Sequence, residues 1–296
     1  MARNTNPKLR DVVATFLSLP ARDPSSVAIV GDPEIDPIGY HVQGVARFGN
    51  GYAMPHSNKD GKDGCLLVDP GDRKARRFPL AQGTIDGLHL SHPSGCQAIG
   101  DYLVLAFESI PANKNVSRIV CFDLVDLQQP TPLAKPAPLE RRGQKAGAVG
   151  VANLAIDGTE HWFIGIYDNG RVDMHRSDGG EFPNTEFSPI FSDTVPDGYE
   201  GFCLLAEEGT DGANQLFAVG FRRDSRLRNK AELYAVHLDR QKLELLESRE
   251  FTPNLLHNAH FRWGTGVDVR SRDELALMVT SRNFLPVCHV DAFTAS

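Results

Sequence analysis

The sequence lacks several features that would assign it to a well-marked functional class. No run of residues is long and apolar enough to span a bilayer, and no glycine-rich phosphate-binding motif stands between a strand and a helix. Acidic residues outnumber basic ones, giving a net charge of −7, so we expect no nucleic-acid partner. We therefore expect a protein that binds a small-molecule ligand and does not associate with a membrane. The sequence does not indicate an oligomeric state.

Cysteine is scarce, and its pattern is uninformative about cross-links. The five cysteines are odd in number and none falls at C-x-x-C spacing, so neither a disulfide framework nor a cysteine zinc site is indicated. Most lie inside apolar segments, where a reduced cysteine packs as a small hydrophobic residue. We therefore expect a reducing compartment and a cytoplasmic location.

A repeated unit organises the chain. In each copy a glycine starts an apolar inner strand, which leads through a tight turn into a second apolar strand. We call these five residues the inner-strand glycines: Gly44, Gly95, Gly150, Gly201 and Gly266. Units of several strands that recur every ~50 to 65 residues are typical of a β-propeller. The sequence therefore predicts an all-β fold, a single five-bladed β-propeller over residues 25–296, with blades near 41–82, 89–135, 145–192, 197–250 and 260–291.

The fifth repeat runs out of chain before its fourth strand. A candidate for that strand lies at the other end of the sequence, in residues 25–31, and pairing it with the strand that ends at Asp291 closes the ring. Closure removes exposed sheet edges. A third strand in each repeat ends at an Asp, which we expect to hydrogen-bond the backbone of the following turn.

Residues 1–24 form a separate lead-in. Residues 12–19 resemble a weak signal-peptide core, but polar residues interrupt it. The same residues fit a helix over 7–19, with Asn6 as the cap, Pro7 at the first helical position and Pro20 as the stop. We predict that this helix packs outside the ring.

Unusual polar and aromatic residues cluster where inner strands begin and second strands end. Both sets of positions lie on one face of a propeller, around the mouth of its axial channel. Those before or at the inner strands are His41, Gln43, His92, Tyr199, Glu200 and Trp263; those at second-strand exits are His56, Glu108, Tyr167, Arg222 and Arg282; Asp268 lies two residues after the last inner-strand glycine.

These residues predict acid–base chemistry on a small polar or anionic molecule. Glu200, His41 and His92 are the candidate catalytic groups, because a carboxylate and an imidazole in a partly dry funnel can have pKa values near neutrality. Arg222 and Arg282 are suited to hold an anionic group, and the other mouth residues to line the substrate site. A lyase, isomerase or cyclase is the expected type of enzyme.

Three other interpretations stay open. No cofactor is expected, although His41 and His92 occupy equivalent positions in adjacent blades and can in principle bind zinc or iron. A propeller can also hold sugars or other ligands without chemistry, but its repeats would then be expected to share a pocket, and these loops differ. Finally, Glu200 can simply pair with an arginine while the histidines satisfy loop backbone.

The repeat resembles the five-bladed propeller superfamily over residues 25–295. One class of that superfamily, the five-bladed glycoside hydrolases, often has an Asp at the first inner strand and a Glu followed by Gly at a later one. Glu200 followed by Gly201 is similar to the second feature. Gln43 stands in place of the Asp, and ordinary glycoside hydrolysis needs two carboxyl groups. The resemblance therefore implies glycoside hydrolysis as an alternative function.

Overall fold

The structure is a computed structural model that describes residues 7–31, 41–58, 63–80, 83–109, 115–179, 182–209, 214–225, 227–282 and 286–295. The chain begins with helix α1 (Val12–Ser18) and strand β1 (Ser25–Val30). Blade one contains β2 (Ala46–Phe48), β3 (Gly51–His56), β4 (Cys65–Asp69) and β5 (Arg76–Pro79), and is followed by the small hairpin β6 (Thr84–Ile85) and β7 (Leu88–His89).

The next three blades follow in chain order. Blade two contains β8 (His92–Ile99), β9 (Tyr102–Glu108), β10 (Val116–Asp123), β11 (Thr131–Pro132) and β12 (Leu139–Arg142). Blade three contains β13 (Ala148–Ile156), β14 (Thr159–Asp168), β15 (Arg171–Ser177) and β16 (Phe187–Thr194), and blade four contains β17 (Gly201–Glu208), β18 (Asn214–Ser225), β19 (Arg228–His237) and β20 (Lys242–Phe251).

Blade five is built from both ends of the chain. It contains β21 (Thr265–Ser271), β22 (Glu274–Thr280) and β23 (Val287–Ala295), with β1 as its outer strand. β1 pairs antiparallel with β23, Ser25 opposite Ala292 and Val30 opposite Val287. The inner strands contact one another in sequence, and β2 contacts β21. The ring is therefore closed as predicted, and the five-bladed propeller is confirmed.

Two inner-strand glycines show why these positions lack a side chain. A Cβ at Gly150 would lie 2.5 Å from the backbone nitrogen of Leu204, and one at Gly266 would lie 1.9 Å from the carbonyl oxygen of Val45. Both neighbours belong to the adjacent blade, so these positions admit no side chain. Packing between blades, rather than a nucleotide loop, explains the repeated glycine.

The aspartate that ends the third strand has the predicted structural role where its contacts are clearest. Asp69 is fully buried, and its Oδ1 accepts hydrogen bonds from the backbone N–H groups of Gly71 and Arg73 at 2.9 Å each. Asp123 Oδ1 accepts from Val125 N–H at 2.8 Å. These carboxylates hold the turn that leads to the next strand.

The N-terminal helix exists but begins later than predicted. Asp11, not Asn6, is the cap, because its side chain accepts a hydrogen bond from Ala14 N–H at 2.8 Å; Asn6 lies outside the described residues. Pro7 precedes the helix, since the helix begins at Val12 and Leu9 exchanges backbone hydrogen bonds with the end of β17. Phe16 is buried in the core between blades four and five, so the helix packs outside the ring.

All five cysteines are buried and unbridged. Across the described ranges, no helix has the length and apolar character needed to cross a membrane.

Candidate active site

The axial mouth, defined here as the opening at the starting ends of the inner strands, is centred on Gln43. The Nε2 atom of Gln43 lies 2.8 Å from Nε2 of His41 and 3.1 Å from Nε2 of His92. An amide nitrogen only donates hydrogen bonds, so both imidazole nitrogens accept. Blades one and two are joined across the mouth by this bridge.

The mouth histidines are held neutral. Burial lowers the pKa of His41 to about 4, and Arg282 and Arg262 act in the same direction. Burial also lowers the pKa of His92 to about 4, assisted by His41 and Lys145. His56, at the end of β3, is almost fully buried beside them, and burial lowers its pKa to about 4 as well. These rings are hydrogen-bonding groups near neutral pH, not cations.

Glu108 is the carboxyl group most altered by this environment. It ends β9 directly opposite His92 in the strand register, with Oε1 3.9 Å from His92 Nε2. Burial raises its pKa to about 7; Asp168 raises it further, while Lys145 and an Ala146 backbone hydrogen bond oppose the change. A group of this kind carries a proton that it can donate at neutral pH.

Glu200 occupies the blade-four side of the mouth. Its backbone N–H donates to Phe221 O at 2.8 Å, which fixes it at the strand start, while its side chain is solvent-exposed. Partial burial raises the pKa of its carboxyl and Arg262 opposes that change. Among the described residues its carboxylate has no hydrogen bond or ion pair, so the structure shows no direct contact with His41 or His92.

Trp263 anchors two cations at the mouth. The guanidinium carbons of Arg262 and Arg282 lie 5.2 and 5.3 Å from the centre of its ring, within the range of a cation–π contact. The ring of His41 meets the indole edge-on, with centroids 5.4 Å apart. Trp263 thus supports charged side chains instead of offering a bare stacking surface.

Three predicted mouth residues, Tyr167, Tyr199 and Arg222, are engaged in contacts within blades three and four. Tyr199 and Tyr167 pack against each other between blades three and four, and the Tyr199 hydroxyl bonds Glu232 and Tyr234. Arg222 pairs with the same Glu232 at 3.2 Å. Buried Glu232 needs several hydrogen-bond donors, and Tyr199 and Arg222 supply two of them, whereas the Tyr167 hydroxyl donates to Asp197.

Asp268 is at the opposite end of the channel from the mouth. Its Oδ2 accepts from Arg47 at 2.9 Å and from Arg270 at 2.8 Å, and all three line a cavity of about 350 Å³ there. Gln97 crosses the channel on the way: it donates to Leu204 O at 2.7 Å and accepts from Val151 and Leu204 N–H. Asp268 is therefore remote from the groups around Gln43.

The mouth also contains buried polar atoms that lack partners. Nδ1 of His92, Oγ of Ser94, Nε1 of Trp263 and Oγ1 of Thr265 have no hydrogen-bond partner within the described part of the chain. Such atoms are usually satisfied by water or a ligand. No group of three or more His, Cys, Asp or Glu side chains in the described ranges is arranged to hold a metal ion, so the His41 and His92 metal hypothesis gains no third ligand.

Sequence reasoning missed two mouth cations, Arg262 and Lys145. Arg262 adjoins the predicted Trp263, and Lys145 precedes Gly150 by five residues. Both residues lie close to the start of a predicted inner strand, which could have placed them at the mouth. A single Lys or Arg in a loop is ordinarily solvated, however, and was not singled out for that reason. Only the fold shows that both approach the histidine bridge.

No protein-family model matches the chain, and no curated protein matches it in sequence. Solved structures do share its architecture. A glycoside hydrolase is 11% identical, covering 97% of this chain and 96% of that one, with a TM-score of 0.50. A thermostable family-43 glycoside hydrolase is 10% identical, covering 88% and 91%, with a TM-score of 0.49. The catalytic domain of a Coprinopsis cinerea GH62 α-L-arabinofuranosidase is 11% identical over 93% and 96%, with a TM-score of 0.49. At these identities the likeness concerns the fold: this chain is a five-bladed β-propeller of an architecture that a glycoside hydrolase shares.

Proposed function

We propose that the protein is a glycoside hydrolase-like enzyme that cleaves a carbohydrate at the axial mouth. The observation that carries the proposal is Glu108, a mouth carboxyl whose pKa is raised to about 7. Glycoside hydrolysis requires two carboxyl groups, and Glu200 supplies the second on another blade. The shared architecture with a glycoside hydrolase supports this choice over other acid–base reactions.

Glu108 is assigned the role of general acid. With a pKa of about 7, a large fraction of its side chain is protonated at neutral pH and can protonate the leaving oxygen. His92 is 3.9 Å away and neutral, because its pKa is lowered to about 4, so its imidazole does not compete with the carboxyl as a proton donor. Lys145 favours the anion that forms when the proton is given up.

Glu200 is assigned the role of general base or nucleophile. Its exposure gives water access to the carboxylate, and Arg262 favours its ionised form. Gln43 cannot take this role, because an amide does not accept a proton near neutral pH. The sequence offered Gln43 at the first inner strand where a carboxyl was expected; in this proposal the two carboxyl groups are Glu200, before β17, and Glu108, at the end of β9.

His41 and His92 are assigned to substrate binding. Their Nε2 lone pairs already accept from Gln43, and pKa values of about 4 make neutral imidazole a weak base. Their expected contribution to turnover is through orientation.

The test is hydrolysis of a panel of chromogenic glycosides and short oligosaccharides. We expect Glu108→Gln and Glu200→Gln each to lower kcat by ~10²–10⁴, with Glu186→Gln, an exposed glutamate outside the mouth, unchanged. The wild-type rate should fall as pH rises above about 7, because Glu108 must be protonated. Cleavage that survives in both mouth variants would refute the assignment.

A second candidate is a lyase that removes a proton from a sugar acid. Gln43 favours it, because this residue stands at the first inner strand, where the glycoside hydrolases that the repeat resembles often have an Asp. The same panel separates the two: a lyase yields an unsaturated product that absorbs ultraviolet light, whereas a hydrolase adds water across the cleaved bond.

A further inference from the structure

Three cations at the axial mouth form no ion pair within the described residues, although Arg262 acts electrostatically on the Glu200 carboxyl and Lys145 on that of Glu108. Arg262 and Arg282 are exposed and lie over Trp263, and Lys145 is half-buried near Glu108. In a chain of net charge −7, three basic side chains grouped at one opening form a local positive cluster.

The three cations influence the histidines of the same opening. Arg262 and Arg282 are both close enough to disfavour a charge on His41, and Lys145 acts on His92 in the same way. Both rings contact the same Nε2 atom of Gln43. Positive charges grouped at a concave site attract and orient anions, and a guanidinium matches an oxyanion through two parallel N–H donors.

The rest of the opening is suited to hydroxyl groups. His92 Nδ1, Ser94 Oγ and Thr265 Oγ1 are buried without a partner in the described ranges. Ser94 and Thr265 are 2% and 3% exposed, and each directly precedes an inner-strand glycine. Neutral donors and acceptors beside fixed cations favour a ligand that carries hydroxyls and a negative charge together.

We propose that the substrate is an acidic saccharide whose oxyanion, a carboxylate or a sulfate, is held by Arg262 and Arg282, with Lys145 as the third cation. This inference rests on the proposed function in locating the substrate at the mouth, and deepens it by naming the substrate class. Trp263 fixes the two guanidinium groups in place, so less side-chain freedom is lost when the anion binds.

Binding is tested by calorimetry with short oligouronates, their methyl esters and sulfated oligosaccharides of matched length. We expect the acid form to bind at least about 10-fold more tightly than the ester, as for loss of a charge-assisted hydrogen bond, and to weaken as salt is added. Preference for the sulfated ligand over the uronate would identify sulfate as the oxyanion. Equal affinity for acid, ester and sulfated forms would overturn the proposal.

The arginines are tested by the double variant Arg262→Gln and Arg282→Gln. It should bind the acid form no better than the ester, whereas Arg272→Gln, which removes an exposed arginine that pairs with Glu208, should keep the preference. A second double variant with lysine at both positions should retain part of it, and circular dichroism checks the fold. An unchanged preference in the glutamine variant would overturn the assignment.

The two proposals fail separately. Glu108→Gln should lose turnover and still discriminate acid from ester, because the cations are intact. If no saccharide is cleaved by the wild type but the acid preference holds, the proposed reaction is refuted and the ligand class stands. If saccharides are cleaved without any acid preference, the ligand class is refuted and the reaction stands.

Discussion

Replacing Glu108 by Gln should stabilise the fold at the pH where it abolishes activity. The pKa of this carboxyl is raised from 4.5 to about 7, chiefly by burial, and its side chain is only 15% exposed. A difference of about 2.5 in pKa corresponds to about 3 kcal/mol of preference for the protonated form. Glutamine has nearly the same shape, and its amide oxygen can accept the Ala146 hydrogen bond.

The sign of the pH dependence follows from which state ionises first. Below about pH 4.5 the Glu108 carboxyl is protonated in both the folded and the unfolded chain, so it does not lower the free energy of unfolding. Between about 4.5 and 7 the unfolded chain ionises while the folded one resists, and the folded state loses relative stability. Above about pH 7 the full cost of about 3 kcal/mol is present. The Gln variant is free of this cost.

The assay is urea unfolding of wild type and variant from about pH 4 to pH 8. The advantage of Glu108→Gln should be small at the acid end and approach about 3 kcal/mol at the alkaline end. The shifted histidines affect both proteins equally and cancel in the difference. Exposed Glu186→Gln, the control, should show no such rise. A variant that is no more stable than wild type at pH 8, or an advantage independent of pH, would refute the reasoning.

Three further predictions concern the fold. Gly150→Ala should lower the free energy of unfolding in urea by ~3 kcal/mol or more, because its Cβ would lie within 3 Å of backbone atoms in the next blade. Gly147→Ala should be nearly neutral, because its Cβ would be 3.7 Å from its nearest neighbour. Equal losses in the two variants would contradict the argument from close approach. Gln97→Met should cost about 3 kcal/mol or more, since three buried backbone groups lose their partner, and a neutral result would mean that water replaces the amide. Deleting residues 1–31 removes Ser25–Val30 from blade five and should leave an insoluble protein, because the edge of β23 is exposed; a soluble monomer in size-exclusion chromatography would speak against closure.

The repeat made the fold predictable from the sequence. Five glycines, each followed by two apolar strands, locate the inner strands, because only a residue without a side chain fits where strands converge. The pairing of β1 with β23 was equally predictable, since one repeat lacked a strand and the N-terminus had one to spare. The start of α1 was not, because the backbone of Leu9 pairs with the end of β17, a long-range contact that no local pattern reveals.

Much of the mouth was also predictable, because equivalent positions in a repeat lie on the same face. His41, Gln43, His92 and Trp263 were placed together by this reasoning, and the structure brings them together. Tyr199 was placed there by the same rule, and its side chain packs between blades three and four, where its hydroxyl contacts Glu232. Repeat position gives the location of a backbone segment, but the direction of each side chain depends on its neighbours.

The sequence by itself therefore determined the number of blades, the closure of the ring and the face on which polar residues gather, since these follow from strand periodicity and from the absence of a side chain at five points. Only the tertiary structure decided which of those polar groups act together. Glu232, 33 residues from Tyr199 and 10 residues from Arg222, engages both of these side chains, while Arg262 and Lys145 act electrostatically on the mouth histidines. The pKa of Glu108 depends on burial and on charges from another blade, and such long-range electrostatics exist only once the chain has folded.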